Sequence, residues 1–198
     1  MAESLRDRQK AQIRGDIQRA AVRLFAERGF DAVTTEEIAA AAGIGHSTYF
    51  RYVTSKEDLL LSTLRRAGAA IVDNLHARPP SESADEALCR ASLRWSRAFV
   101  AEEQALDHWR TAIRAAPQLL DRVAVVGRFE RAQLTKLVGE RMGVRPDEDI
   151  RPGLLVHTVL AAAEFAFLRW LDNDDPRDPT LHQLTEQALE GTRTQCWK

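Results

Sequence analysis

The chain has 198 residues, of which 44% are hydrophobic and 29% are charged. This composition is typical of a folded globular protein and excludes a chain that is disordered throughout. The 28 basic and 29 acidic residues give a formal net charge of −1, which excludes a protein that coats nucleic acid through its overall charge. No signal-peptide pattern is visible in the polar N-terminus, and the two cysteines are too few and too far apart for us to expect a zinc site or a disulfide framework. We therefore expect a cytoplasmic protein without metal or cofactor.

The sequence predicts an all-α fold, since runs of alternating apolar and polar residues that would indicate strands are missing from it. Apolar spacing predicts a first helix that ends at Gly29. A second, short helix begins after Thr34, which can form a capping box with Glu37. A third covers residues 46–52, and a fourth opens at residues 55–58 and ends before Pro79.

Four longer helices are predicted beyond Pro80. The first is opened by Ser83 or Asp85 and contains Leu88, Trp95 and Phe99. The second contains Val126, Phe129, Leu134 and Leu137 and closes at Gly143. The third covers residues 154–171. The last opens at Asp178, with Pro179 at its first helical position.

The functional signal lies in the two short helices and the turn between them. They fall within TTEEIAAAAGIGHSTYFRY, residues 34–52. Gly43 can adopt the positive φ that a tight turn needs, and Ile44 can fill the angle between the helices. The second helix then presents short hydrogen-bonding groups, an aromatic ring and a cation, which suits the major groove of DNA. On spacing alone, a purely structural three-helix unit is an equal alternative.

Positive charge is concentrated in the same part of the chain. Residues 44–56 carry Arg51 and Lys56 and no acidic residue. Four more basic residues precede the apolar face of the first helix and would form a basic arm along the phosphates. They are Arg6, Arg8, Lys10 and Arg14.

The stretch from Ile17 to Leu60 resembles the DNA-binding head of the TetR family of bacterial transcriptional regulators. The resemblance lies in the LF and GF pairs of residues 24–30, the TT, IA and AAG elements of residues 34–43, a threonine before two aromatic residues, and SKEDLL at residues 55–60. It implies a DNA-binding head over residues 1–55 and a helical effector-binding and dimerisation body over residues 56–198. The boundary is expected within or just after the fourth helix.

The resemblance also implies which residues contact DNA. Thr34 or Thr35, and Lys56, resemble phosphate contacts. Phe50 stands where the family usually has a tyrosine that donates to a phosphate, so this contact either moves to Tyr49 or is lost. Gly45 replaces the serine or threonine that often caps the recognition helix. The predicted DNA-binding residues are Thr34, Thr35, Gly45, His46, Ser47, Thr48, Tyr49, Phe50, Arg51, Tyr52 and Lys56.

The predicted helix over residues 154–171 is apolar nearly all round and must be covered on more than one face. Its His157, Glu164 and Arg169 argue against a membrane span. In a chain of this size one face of the helix can pack on its own body, and the other face would need a second subunit. We predict a homodimer through this helix and the helix over residues 180–190, an arrangement that resembles the four-helix interface of the family.

Candidate effector-binding residues lie among the predicted body helices. Aromatic side chains would form apolar walls, although for any single one of them a place in the plain core is the favoured explanation. His157 and Glu164 are seven residues apart on one helix and need polar partners, which a ligand, a water or the other subunit could supply. The candidates are Trp95, Phe99, His108, Trp109, Phe129, His157, Glu164 and Phe165.

Together these patterns predict a sequence-specific DNA-binding transcriptional regulator. The expected form is a repressor that a small apolar effector, of unspecified identity, releases from a palindromic operator. An activator of the same family is one alternative. An enzyme or small-molecule carrier whose head does not bind DNA, and a protein-binding adaptor, are alternatives from other classes. The sequence contains no Gly-rich phosphate loop and no HExxH motif, so we expect no enzymatic activity.

Overall fold

The computed structural model describes residues 5–102, 106–120, 126–173, 175 and 177–196. All regular secondary structure in these ranges is helical, which confirms the predicted all-α fold. The helices are α1 (Leu5–Arg28), α2 (Thr35–Ala41), α3 (His46–Tyr52), α4 (Asp58–His76), α5 (Ala84–Glu102), α6 (Leu106–Arg114), α7 (Pro117–Leu120), α8 (Arg128–Met142), α9 (Arg151–Asp172) and α10 (Leu181–Cys196).

The chain folds into two compact units that divide within α4, between Thr63 and Leu64. The first unit comprises residues 1–63 and 104–123, and the second comprises residues 64–103 and 124–198. The expected functional division, with a head over residues 1–55, stays a prediction.

The first unit is built around α1, which packs against α2, α3 and α6. Its core consists of apolar side chains that are fully buried, among them Ile17, Phe25, Ile38 and Leu60. Gly29 has a φ of +84° and ends α1, as its position in the sequence predicted. Phe30 then folds back onto Phe25, with 5.0 Å between the ring centroids.

Two short helices, α6 and α7, were not predicted from the sequence. Trp109, Ala112 and Ile113 of α6 are fully buried in the first unit. The indole N–H of Trp109 donates to the carbonyl oxygen of Leu60 over 2.9 Å, which ties α6 to the first turn of α4. The signal was present, since Trp109, Ala112, Ile113 and Ala116 recur at helical spacing.

The second unit is built around α9, which packs against α5, α8 and α10. Leu155, Val156, Leu160 and Phe167 of α9 are buried in its core. Gly143 ends α8 in the left-handed conformation, with a φ of +66°, as predicted. α9 is the one helix in the described ranges that is long and apolar enough to cross a membrane. Half of the residues in its most apolar stretch are buried inside the protein.

The predicted start of the last helix is wrong by two residues. Thr180, not Asp178, is the residue that caps α10: its hydroxyl accepts from the backbone N–H of Gln183 over 3.3 Å, and its own N–H donates to the Gln183 side chain over 2.8 Å. Asp178 instead accepts from the backbone N–H of Asp175.

Candidate nucleic-acid interface and ligand cavity

The capping box predicted at the start of α2 is confirmed. The backbone N–H of Thr34 donates to Glu37 Oε2 over 2.9 Å, and the backbone N–H of Glu37 donates to Thr34 Oγ1 over 3.2 Å. The Thr34 N–H, together with Arg28 and the Thr34 hydroxyl, lowers the pKa of Glu37 to about 2. Glu37 is therefore ionised at neutral pH and accepts the backbone N–H of Thr34 at the start of α2.

A tight turn joins α2 to α3, as the helix-turn-helix pattern predicted. Gly43 has a φ of +68°, and the backbone N–H of Ile44 donates to the carbonyl of Ala39 over 3.0 Å. Gly45 precedes α3, and its carbonyl accepts from the N–H of Thr48 over 2.9 Å, while no side chain caps this end. The N-terminal end of α3 is thus capped by backbone hydrogen bonds and not by a side chain.

Four side chains of α3 form one exposed surface, which we call the α3 outer face. They are His46, Ser47, Phe50 and Arg51. Thr48 and Tyr52 are partly exposed, and the Arg51 guanidinium carbon lies 5.1 Å from the Tyr52 ring centroid. The outer face thus combines hydrogen-bonding groups, one aromatic ring and one cation, the chemistry expected of a helix that reads base edges.

Tyr49 does not lie on this surface, contrary to the prediction. Its side chain is 1% exposed and packs edge-on against Phe50, and its hydroxyl has no hydrogen-bond partner among the described residues. Burial raises the pKa of Tyr49, and the carboxylates of Glu57 and Glu36 add to this. Phe50 is 57% exposed and has no hydroxyl. In this arrangement, neither residue offers the phosphate contact that the family's tyrosine makes.

Lys56 is also placed differently from the prediction. Its ammonium donates to the carbonyl oxygens of Phe30 and Val33 over 2.8 and 3.0 Å, and it lies 4.3 Å from the centroid of the Phe30 ring. These contacts close the loop between α1 and α2. We interpret Lys56 as a structural residue, because two of its three N–H donors are already used inside the protein.

Two threonines at the start of α2 were predicted to contact phosphates. The Thr34 hydroxyl donates to Glu37 over 3.1 Å, and the Thr35 hydroxyl donates to Glu36 over 3.1 Å. A phosphate would have to replace these carboxylates as acceptor. The sequence did not single out Glu36 as a residue of this interface. In the structure its carboxylate lies 2.9 Å from His46 Nε2.

The basic residues near the N-terminus lie in the first turns of α1 rather than in a separate arm. Arg6, Arg8, Lys10 and Arg14 are all exposed on this helix. At 3.6 residues per turn Arg6, Lys10 and Arg14 share one side of α1, whereas Arg8 lies on the opposite side.

Aromatic side chains form a buried cluster in the second unit. Trp95 and Phe99 of α5 contact Phe167 of α9 with centroid distances of 6.5 and 6.0 Å, and Trp170 lies 5.9 Å from Phe99. Trp95 and Phe99 were predicted as cavity walls, and both are 7% exposed. Phe167 and Trp170 were not singled out from the sequence.

A small cavity of about 10 Å³ adjoins this cluster, which is room for roughly one water molecule. Its lining is Ile71, Trp95, Val126, Arg131, Leu160, Ala163, Glu164 and Phe167. Arg131 Nη2 and Glu164 Oε2 are 3.9 Å apart and supply the polar end. Val126 and Arg131 also line an open cleft of about 720 Å³ beside the cavity, to which His157 contributes.

Most of the other effector candidates lie away from this cavity. His108 is exposed on α6 and Trp109 is buried beside it, and both belong to the first unit. Phe129 is 70% exposed and Phe165 is 64% exposed. The structure thus does not bring these four residues to this cavity, because a residue's place in the sequence does not reveal which neighbours it packs against.

The exposed apolar residues of α9 share one side of that helix, which we call the α9 outer face. Leu154, Phe165 and Leu168 are 50%, 64% and 42% exposed. Their spacing of 11 and 3 residues places them on one line along the helix. The opposite side of α9 forms the core of the second unit, so this helix is apolar on two faces, as predicted.

Comparisons with known proteins agree with this architecture. A family model described as bacterial regulatory proteins of the tetR family matches residues 17–63, and a model described as the MftR C-terminal domain matches residues 82–195. The HTH-type transcriptional regulator TcmR of Streptomyces glaucescens is 27% identical, over 98% of this chain and 88% of that protein. The putative mycofactocin biosynthesis transcriptional regulator MftR of Mycobacterium tuberculosis is 29% identical, over 80% of this chain and 79% of that protein.

Solved structures show the same fold. NalD of Pseudomonas aeruginosa, described as the secondary repressor of the MexAB-OprM multidrug efflux pump, superposes with a TM-score of 0.62 at 19% identity, covering 96% of this chain and 100% of that one. A TetR-family regulator from Syntrophomonas wolfei gives a TM-score of 0.61 at 16% identity, covering 93% and 94%. With its helix-turn-helix and its helical body both matched, the chain belongs to the TetR family of bacterial regulatory proteins.

Proposed function

We propose that this regulator is a dimeric repressor whose α3 outer face reads an operator in duplex DNA, and that a small apolar effector releases it. The DNA-binding residues are assigned to the head over residues 1–55, and effector binding and dimerisation to residues 56–198. The observation that carries the proposal is the α3 outer face itself, where polar side chains stand exposed on a helix held by a tight turn.

The contacts to DNA divide into base-reading and phosphate-binding groups. His46, Ser47 and Thr48, at the start of α3, are suited to base edges, because recognition helices meet the major groove with their N-terminal residues. Arg51 and the exposed basic residues of α1 are suited to phosphates. Lys56 supports the fold of the head in this proposal and is not a phosphate contact.

A second copy of the chain would cover the α9 outer face. Leu154, Phe165 and Leu168 expose large apolar side chains on one side of α9, and a partner that removed them from water would gain free energy. A two-fold dimer through α9 and α10 repeats α3 twice. It therefore favours a palindromic operator with half-sites about 34–36 Å apart, or a multiple of that distance.

The effector would bind where Trp95, Leu160 and Phe167 surround the small cavity, with Arg131 and Glu164 at its polar end. A volume of about 10 Å³ is too small for an organic molecule, so the effector must select a conformation in which this region is open. Its higher affinity for that conformation is what would shift the dimer away from the operator-binding state.

Selection of bound sequences from random duplex DNA tests the DNA-binding part. We expect one palindromic sequence to be enriched, and we expect Arg51→Glu to abolish the enrichment. Lys136→Glu, on exposed α8 in the second unit, makes the same charge change and should leave it intact. If no sequence is enriched by the unmodified protein, the proposal is wrong.

The effector part is tested by measuring the affinity for the selected operator with and without compounds from a panel of small apolar molecules. A compound that binds in the cavity should weaken operator binding. A compound that binds there and leaves operator affinity unchanged would contradict the release mechanism.

A further inference from the structure

We propose that a cleft between α5 and α10 binds a phosphate group, either free or carried by a small metabolite. The cleft has a volume of about 360 Å³ and lies within the second unit. It shares no lining residue with the cavity beside Trp95, so it is a separate site. The inference goes beyond the proposed function, since it concerns neither DNA nor the apolar effector. The lining includes four arginines, which are Arg78, Arg90, Arg94 and Arg97.

Two helix faces form the walls of the cleft. Arg90, Arg94 and Arg97 follow one another at spacings of four and three residues, so they share one side of α5. His182 and Glu186 are four residues apart on α10, which packs against α5. Like charges at these spacings on a helix repel one another, so an anion that binds the arginine row stabilises it.

Two of the four arginines are already paired with an acidic residue. Glu82 Oε2 accepts from Arg78 Nε over 2.7 Å, and Glu82 Oε1 accepts from Arg90 Nη1 over 2.9 Å. Arg94 and Arg97 form no ion pair with any residue that the structure describes, and both side chains are exposed. The cleft therefore presents two positive charges that these residues do not balance.

The Arg97 side chain is held in place by a chain of hydrogen bonds. Its Nε donates to His182 Nε2 over 2.9 Å, and His182 Nδ1 lies 3.3 Å from the hydroxyl of Ser96. Ser96 is fully buried and uses its hydroxyl proton on the carbonyl of Leu93 over 2.8 Å, so it accepts from His182 Nδ1. This arrangement orients Arg97 and leaves its two terminal nitrogens to bind a partner in the cleft.

The charge and shape of these groups favour phosphate over a carboxylate. A guanidinium group is planar and donates two parallel hydrogen bonds to an oxyanion. A phosphate monoester carries a charge of about −1.5 to −2 at neutral pH, which matches the two unbalanced arginines. A single carboxylate carries one charge and would leave one arginine unbalanced. Glu186 brings a negative charge into the same lining, and it should weaken the binding of any anion.

Calorimetric titration of the full-length protein at low ionic strength tests the proposal. The probes are inorganic phosphate, ribose 5-phosphate, ribose and acetate. We expect both phosphates to bind, ribose not to bind, and acetate to bind more weakly than phosphate. Tighter binding of ribose 5-phosphate than of inorganic phosphate would indicate a phosphorylated metabolite, and equal binding would indicate free phosphate.

Variants of the lining locate the binding. Arg94→Gln and Arg97→Gln should each weaken phosphate binding by roughly tenfold, the size of one hydrogen bond to a charged group. Glu186→Gln should tighten it, which a damaged fold would not do. Arg169→Gln is the matched control, since it removes an arginine that is exposed on α9 and likewise has no ion pair with a described residue.

Thermal melting confirms that each variant is folded. The inference is overturned if neither phosphate binds, if acetate binds as tightly as phosphate, or if Arg94→Gln and Arg97→Gln leave the affinity unchanged. The proposed function stands in each of these cases, because the titration contains no DNA.

Discussion

The outer faces of α3 and α9 are both exposed, and they differ in chemistry. The α3 outer face mixes hydrogen-bonding groups and a cation with one phenylalanine. The α9 outer face carries three large apolar side chains, those of Leu154, Phe165 and Leu168, which are all at least 42% exposed. A polar face suits base edges and phosphates. An apolar face is stabilised when a partner, such as a second copy of the chain, covers it and removes it from water. The two faces therefore suit different partners, and under the proposed function a second copy on α9 is what presents α3 to the DNA twice.

The largest effect is expected from Phe165→Glu on the α9 outer face. Losing a buried phenylalanine from each protomer should weaken the dimer by about 3 kcal/mol or more, which raises its dissociation constant roughly 100-fold or more. Sedimentation analysis measures the change. Phe129→Glu, at an exposed phenylalanine of α8, is the matched control and should leave the dimer intact. If Phe165→Glu dimerises as tightly as the unmodified protein, α9 does not form the dimer interface.

Lys56→Met should reduce the stability of the head rather than its contact with DNA. The substitution leaves the carbonyls of Phe30 and Val33 without their donor, at a cost of about 1–3 kcal/mol. Urea unfolding measures this loss. Arg51→Met should behave in the opposite way, with unchanged stability and weaker DNA binding. If Lys56→Met is as stable as the unmodified protein, the structural role assigned to Lys56 is wrong.

Two variants, Phe50→Tyr and Tyr49→Phe, test which of these two rings faces the DNA. Phe50→Tyr places a hydroxyl on the exposed ring and should tighten operator binding by about 0.5–1.5 kcal/mol for each protomer, through one phosphate contact apiece. Tyr49→Phe removes a buried hydroxyl that has no partner among the described residues, so it should leave operator affinity unchanged and not reduce stability. Weaker operator binding by Tyr49→Phe would show that Tyr49 reaches the DNA after all.

The smallest effect is expected from Glu37→Gln in the capping box. Because the pKa of Glu37 is lowered to about 2 in the folded protein from an ordinary value of 4.5, its charge stabilises the fold above pH 4.5 and this contribution is lost as the pH falls towards 2. The melting temperature of Glu37→Gln should thus be lower at pH 7 and converge on that of the unmodified protein near pH 2. Glu27→Gln, exposed on α1, should show no such difference, and a constant gap at all pH values would contradict the assignment.

The sequence predicted those features that depend on neighbours a few residues away. Gly29, Gly43 and Gly143 each take the positive φ that was expected of them, and Thr34 and Glu37 form the expected capping box. These are local hydrogen-bonding and backbone requirements, and the residues that meet them are few.

Features that depend on distant parts of the chain were predicted less well. Trp109 was expected in the body, but it packs in the first unit, because the pattern of α6 specifies an apolar face and not its partner. Tyr49 and Phe50 are adjacent aromatics that only the rotation of α3 distinguishes. Lys56 is basic and precedes a helix, which suited a phosphate contact, and only the three-dimensional structure shows the two carbonyls that it binds.

The most direct test of the central claim, that the α3 outer face binds duplex DNA in two copies, is the dependence of operator affinity on salt concentration. The logarithm of the association constant should fall linearly and steeply with the logarithm of salt concentration. Arg51→Gln should reduce the slope by about two, one phosphate contact for each protomer of the dimer. A flat salt response, or a slope that Arg51→Gln leaves unchanged, would contradict the account.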